Sequence, residues 1–201
     1  MPLICHTPII LASSSVVRQQ MLAKAGIKFS IKNPGHEEAE LKTTIRHLPL
    51  SEQALRLADV KAESISRTNP EALVIGADQI CSLEGEIFSK PGTFENAADQ
   101  LRRLSGKTHS QTCAAVILQR GEPLWTKVAE AHLTMRSLSE AEIDAYIRAD
   151  TPLSACGAYK IESLGRHLFA QIDGDYDVIK GLPLVPLLAE LHRLGAVAWS
   201  N

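Results

Sequence analysis

Apolar and polar positions group along the chain so that strands and helices are predicted in turn. Residues 8–12 form a short apolar run of the length expected for a buried strand. Three serines follow. From 16 to 25, Met21, Leu22 and Ala25 recur at helical spacing, and Gly26 is the expected stop, since the residue after a helix is least strained there as glycine. Phe29-Ser30-Ile31 predicts a second strand, and the polar, aperiodic stretch 33–49 predicts a long loop. Ser51 is placed to cap a helix reaching about residue 67, with Ala54, Leu55, Ala58, Ala62 and Ile65 on its inner face. Residues 72–77 are the clearest buried strand, continued by 80–83 up to a turn at Glu84-Gly85.

Thr93 opens a helix that runs to Leu104 and stops at Gly106. Strands over 112–118 and 124–133 flank Arg120-Gly121-Glu122-Pro123, which reads as a hairpin. Ser139-Glu140-Ala141-Glu142 has capping-box spacing and predicts a helix through Ile147. Further strands are expected at 157–161 and 167–172. A last helix runs from near Leu184 to Gly195 and buries Leu187, Leu188, Leu191 and Leu194. The alternation gives an α/β class with a mixed sheet. Without repeats, low-complexity tracts or Pro/Gly linkers, the reading is one domain over residues 1–201.

Composition narrows the function. The chain has 201 residues, 45% hydrophobic and 22% charged, as in ordinary soluble domains. Its 21 basic and 23 acidic residues give a net charge of −2, so no global basic field exists to hold nucleic acid. A polyanionic ligand would have to be gripped by a few local cations. No run approaches the ~20 apolar residues of a membrane helix, and Met1-Pro2-Leu3-Ile4-Cys5-His6 lacks the pattern of a secretory signal. Cys5, Cys81, Cys113 and Cys156 form no CxxC pair, so reduced thiols and a cytoplasmic location are expected.

Two predicted strand ends carry chemistry, and ligands of open α/β sheets bind beyond such ends. At the first, Ser13-Ser14-Ser15 leads into a helix with Arg18 in its opening turn; hydroxyls, main-chain N–H groups and a guanidinium suit a phosphate, although serines there also serve as plain caps. At the second, Gly76-Ala77-Asp78-Gln79, a carboxylate directly after a buried strand suits a metal ligand or general base, or a turn acceptor. Ser105-Gly106-Lys107-Thr108 ends like a P-loop, but Leu101 stands where the first glycine is required. The histidines form no HxxxH or HExxH pair, which removes support for a transition-metal hydrolase.

Taken in order, several segments resemble the Maf family of nucleoside triphosphate pyrophosphatases. They are Leu11-Ala12-Ser13-Ser14-Ser15 with Arg18, His36-Glu37-Glu38, Arg56-Leu57-Ala58 with Lys61, and Gly76-Ala77-Asp78-Gln79. The series continues with Ser89-Lys90-Pro91, Leu104-Ser105-Gly106 with His109, Gly157-Ala158-Tyr159-Lys160 and Gly181-Leu182-Pro183-Leu184. The resemblance implies an elongated mixed β-sheet flanked by helices, two lobes with a central cleft in the Maf/ITPase-like arrangement, and often a homodimer. It implies hydrolysis between the α and β phosphates of a nucleoside triphosphate, with Mg²⁺ or Mn²⁺ as the divalent metal cation. By matching position, Asp78 is the catalytic acid/base and Glu38 a second catalytic carboxylate, both of them metal ligands. Ser13, Ser15, Arg18, Lys61 and Lys90 hold the triphosphate.

Gln79 and Glu162 occupy the family's base-reading positions, and they resemble the branch that acts on 7-methyl-GTP. A carboxylate at 162 accepts two parallel bonds from the N1–H and 2-amino group of guanine, where a glutamine amide would suit uracil or thymine. Val16-Val17 replaces the family's Pro-Arg or Pro-Trp, and Gln19 stands where a second basic residue is usual. Three readings therefore stand: a 7-methyl-GTP pyrophosphatase, a pyrophosphatase for dTTP, UTP or another noncanonical nucleotide, and a non-catalytic nucleotide-binding regulator of cell division.

Overall fold

In the computed structural model, residues 2–34 and 38–200 are described, those at 38–40 by their backbone alone. His36 and Glu37, and the side chain of Glu38, lie outside the described residues. The elements in chain order are β1 (Leu3–Cys5), β2 (Ile9–Leu11), α1 (Val16–Lys24), β3 (Ser30–Ile31), α2 (Glu38–Thr44), α3 (Leu50–Thr68), β4 (Leu73–Leu83) and β5 (Glu86–Phe88). They continue with α4 (Phe94–Leu104), β6 (Thr108–Gln119), β7 (Glu122–Met135), α5 (Glu140–Asp150), a 3-10 helix (Leu164–Leu168), β8 (Phe169–Asp173), α6 (Tyr176–Ile179), α7 (Leu184–Arg193) and β9 (Val197–Trp199). The sheet is mixed: its strand order is β3-β2-β4-β6-β7-β8, with β5 paired to β4. Strands β2, β3 and β4 pair in parallel, whereas β4–β5 and β7–β8 are antiparallel.

The chain forms two compact units. The first comprises Met1–Gln79, Cys113–Ala129 and Gly181–Asn201; the second comprises Ile80–Thr112 and Glu130–Lys180. The core of the first unit includes Leu11, Leu22, Ile75, Ile117, Leu182, Leu187 and Leu191, all fully buried. Here β4 is buried on both faces, as expected of a central strand flanked on each side. Ala54, Ala58 and Ala62 place a stripe of small, fully buried side chains along one face of α3. That stripe lets α3 lie close to β4 at Gly76, where an added Cβ would fall 2.2 Å from the Ala58 carbonyl oxygen. In the second unit α4 packs on α5, and Arg102 on α4 makes a forked ion pair with Glu140 on α5.

Several expectations hold at the level of local chemistry. Ser15 caps α1 by accepting from the Arg18 N–H, Thr93 caps α4, and Ser139 with Glu142 forms a full capping box on α5. Others are corrected. Residues 33–49 are not all loop, since α2 lies within them; its polar sequence gave no apolar stripe to read. Helix α3 begins at Leu50 with Pro49 at the N-cap, so Ser51 sits inside the first turn and not at the cap. Asp78 does not follow the strand: it lies in the middle of the eleven-residue β4. Residues 157–161 form no strand, because Gly157 and Ala158 both have left-handed backbone and turn the chain.

Candidate active site

The close approach of α3 to β4 has a chemical consequence one turn along. Lys61 follows Ala58 on α3 and Asp78 follows Gly76 on β4, and the Lys61 ammonium bonds the Asp78 carboxylate at Oδ1. Both side chains are about nine-tenths buried, with 11% and 10% exposed. In such surroundings an unpaired charge would be strongly disfavoured, so each holds the other in place.

The end of β2 and the start of α1 supply a second group. Ser13 is buried, and its Oγ accepts from the Ser15 N–H at 3.2 Å and from Arg18 Nη1 at 3.4 Å. Arg18, in the first turn of α1, is turned inward and donates from Nε to the Gly181 carbonyl at 2.7 Å. Gly181 leaves little room: an added Cβ would lie 3.1 Å from Gln79 Oε1 and 3.3 Å from Arg18 Nη2. Gln79, half-buried, therefore stands beside the guanidinium near the same glycine. Gln19 also donates from its amide to the Ser13 carbonyl at 3.4 Å.

Cys113 on β6 links the two groups. Its thiol is fully buried, and burial pushes its pKa up to about 12, while the charges of Arg18 and Asp78 act on it in opposite senses. Ser13, Ser15, Arg18, Lys61, Asp78 and Gln79, six of the candidate residues, thus gather in the first unit. The arrangement offers one carboxylate, two cations and hydroxyl and amide groups, a set suited to a phosphorylated ligand.

Lys90 and Glu162 belong to the second unit. Lys90 is exposed just after β5, and its flanking carbonyls are bonded from α4: Ser89 O accepts from Gln100 at 2.8 Å and Pro91 O from Asn96 at 2.9 Å. Glu162 is exposed in the turn at 161–163, directly before the 3-10 helix. Glu38 starts α2, its side chain being outside the described residues. Among the described residues, no three or more His, Cys, Asp or Glu side chains are grouped to hold a metal.

Sequence reasoning missed two members of the first cluster. Gly181 was visible as part of a motif, but the bond from Arg18 to its carbonyl spans 163 positions and leaves no local trace. Cys113 had no signal, since a thiol in an apolar strand reads as core.

Comparison with known proteins adds a further line. The family model described as "Maf-like protein" matches residues 8–194. A Legionella pneumophila protein named "Nucleoside triphosphate pyrophosphatase" is 40% identical over 190 residues, which cover 94% of this chain and 95% of that protein. Proteins named "7-methyl-GTP pyrophosphatase" match similarly: one from Brucella abortus at 44% identity over 189 residues, 92% of this chain and 95% of its own. Another, from Bartonella henselae, is 42% identical over 191 residues, covering 94% of this chain and 96% of that protein.

Proposed function

The chain belongs to the Maf family, and from that premise we propose that it is a nucleoside triphosphate pyrophosphatase that prefers 7-methyl-GTP. The observation that carries this reading is the nearly buried Lys61–Asp78 pair, in the unit that also holds Arg18 against Ser13 and Gly181. A binding module for an anion loses net positive charge by placing a carboxylate among its cations. A hydrolase needs one, to orient and deprotonate water.

The reaction breaks the bridging bond between the α and β phosphates. Water attacks phosphorus, Asp78 takes the water proton, and pyrophosphate leaves with the bridging oxygen. Lys61 and Arg18 place positive charge where the departing group gains negative charge, which favours the transition state over the ground state. Two of the five guanidinium N–H groups of Arg18 are used in fixing it to Gly181 and Ser13. That anchoring sets the direction of the remainder toward phosphate. Ser13 and Ser15 contribute hydroxyls at the start of α1, where the helix dipole favours an anion. Lys90 contributes a further cation to the phosphates.

A divalent ion fits this donor set in one manner. Asp78 and Glu38 are hard oxygen donors, too few to form a cage, and Mg²⁺ or Mn²⁺ commonly takes one or two carboxylates with the rest of its shell from substrate phosphates and water. When bound it would neutralise charge on the triphosphate.

For the base, Glu162 is the acceptor-only group that matches adjacent N–H donors of guanine, and N7 methylation makes that base cationic, which a carboxylate favours further. The Bartonella henselae and Brucella abortus relatives bear the 7-methyl-GTP name. The test is a panel of 7-methyl-GTP, GTP, dTTP and UTP, with and without Mg²⁺ or Mn²⁺, resolving nucleotide products and pyrophosphate. The expected products are a monophosphate and pyrophosphate, formed fastest from 7-methyl-GTP. Release of diphosphate and single phosphate overturns the bond assignment; faster cleavage of UTP or dTTP overturns the base assignment. Tight binding without turnover would instead identify a nucleotide-dependent regulator.

A further inference from the structure

The segment 158–163, which carries Glu162 in its closing turn, is fixed by more polar contacts than a surface turn requires. Ala158 is fully buried with φ 58°, a left-handed backbone that a residue bearing a Cβ adopts only when its surroundings enforce it. The next residue, Tyr159, is buried, and its hydroxyl accepts from Gln111 Nε2 at 2.7 Å. The same hydroxyl lies 2.9 Å from His109 Nε2. The hydroxyl thus joins Gln111 to His109, whose Nδ1 is buried and meets no partner among the described residues. Burial, which lowers the His109 pKa to about 4, keeps that ring neutral and able to accept.

The rest of the turn is held from other elements. Tyr146 on α5 accepts from the Lys160 N–H at 3.0 Å and donates to Asp150 at 3.0 Å. Tyr176 on α6 donates to the Ile161 carbonyl at 2.8 Å. Ser163 donates from Oγ to Asp150 at 2.7 Å, and the N–H groups of Ser163 and Gly165 both bond the Lys160 carbonyl. Every neighbour of Glu162 from Tyr159 to Ser163 is thus tied, while Glu162 itself is exposed.

We propose that Tyr159, gripped by His109 and Gln111, is a positioning residue that sets the orientation of the Glu162 carboxylate, so that it selects bases with two adjacent N–H donors. The inference rests on the reading of Glu162 as the base-reading residue. Two parallel bonds require the carboxylate plane to match the base edge. A carboxylate on a loose turn would attract any cation, but would discriminate poorly between bases because ordering it would offset the gain.

The experiment measures kcat and KM for 7-methyl-GTP and UTP in Tyr159→Phe and Glu162→Gln, beside the unaltered protein. Tyr159→Phe should raise KM for 7-methyl-GTP about tenfold and change kcat less than about twofold, with UTP kinetics unmoved. A variant that loses thermal stability but keeps the KM ratio overturns the proposal, since a purely structural hydroxyl would do that. If Glu162→Gln shifts the ratio and Tyr159→Phe does not, the positioning role fails and the base reading stands. If Glu162→Gln leaves the ratio unchanged, the base reading fails and the positioning role with it. Should Tyr159→Phe not fold, Gln111→Met, which removes the donor to the same hydroxyl, is judged by the same criterion.

Discussion

Around the first half of β4 the protein buries charge, whereas around the first half of β6 it buries only neutral polar groups. In the former, Lys61 and Asp78 are ionic partners about nine-tenths withdrawn from solvent, and Arg18 is anchored nearby. In the latter, His109, Gln111 and Tyr159 share hydroxyl and amide bonds without a formal charge among them. Desolvating ions is expensive, and an apolar replacement of similar shape would often be as stable. The ionic cluster is therefore best understood through a charged ligand that it must meet. The neutral cluster costs less to bury and gives direction instead of field strength. On the proposed reading, one region serves reactivity and the other shape.

That contrast can be broken in several ways, the largest effect first. Asp78→Asn should lower kcat about a thousandfold, the scale of a general base, as followed by pyrophosphate release. If turnover stays within about tenfold of normal, the ionic region is not the reactive one.

The neutral region should declare itself through pH. The folded-state pKa of His109 is about 4 against an ordinary 6.5, so on acidification the unfolded chain takes up a proton before the folded one. Stability from this residue is fully present above about 6.5 and is lost as pH falls toward about 4, a change on the order of 3 kcal/mol. Denaturant unfolding at stepped pH should show that slope, and His109→Gln should flatten it. An unchanged slope in the variant would mean that the ring is not buried neutral.

Gly76→Ala should cost about 2 kcal/mol by overpacking, because the new methyl meets the Ala58 carbonyl and the side chains of Ala62 and Val116. It should also lower turnover, since any retreat of α3 carries Lys61 away from Asp78; full activity with lowered stability would separate packing from the ionic pair. The smallest effect is expected from Ser15→Ala. Its cap bond to the Arg18 N–H is long at 3.4 Å, so thermal unfolding should show a loss below about 1 kcal/mol.

Much of the fold was legible because its signals are local. The caps at Ser15, Thr93 and Ser139 act within a few residues, and each lies where its helix starts. The chemistry of 78 was legible in kind but not in place. A polar pair after an apolar run reads as a strand exit, yet a strand can carry a carboxylate inward when a cation from another element meets it. The cation is Lys61, seventeen positions away. The strand expected at 157–161 failed because alternation of Ala158, Tyr159, Lys160 and Ile161 imitates a strand, while the left-handed backbone at Ala158 is imposed by buried neighbours. The pairing of β1 with β9 left no mark either: its register joins Leu3 to Trp199, and three-residue strands offer too little pattern to read.

The sulfur of Cys113 has a practical consequence. With its thiolate disfavoured and no solvent path in the native state, it should resist alkylation while the half-buried Cys5 and Cys156 react first. Its labelling rate then counts the moments when the neighbourhood of Arg18 and Asp78 comes open, and an occupant that closes that neighbourhood should slow the count. The chain thus contains its own stopwatch for local opening, read by mass spectrometry without any engineered residue.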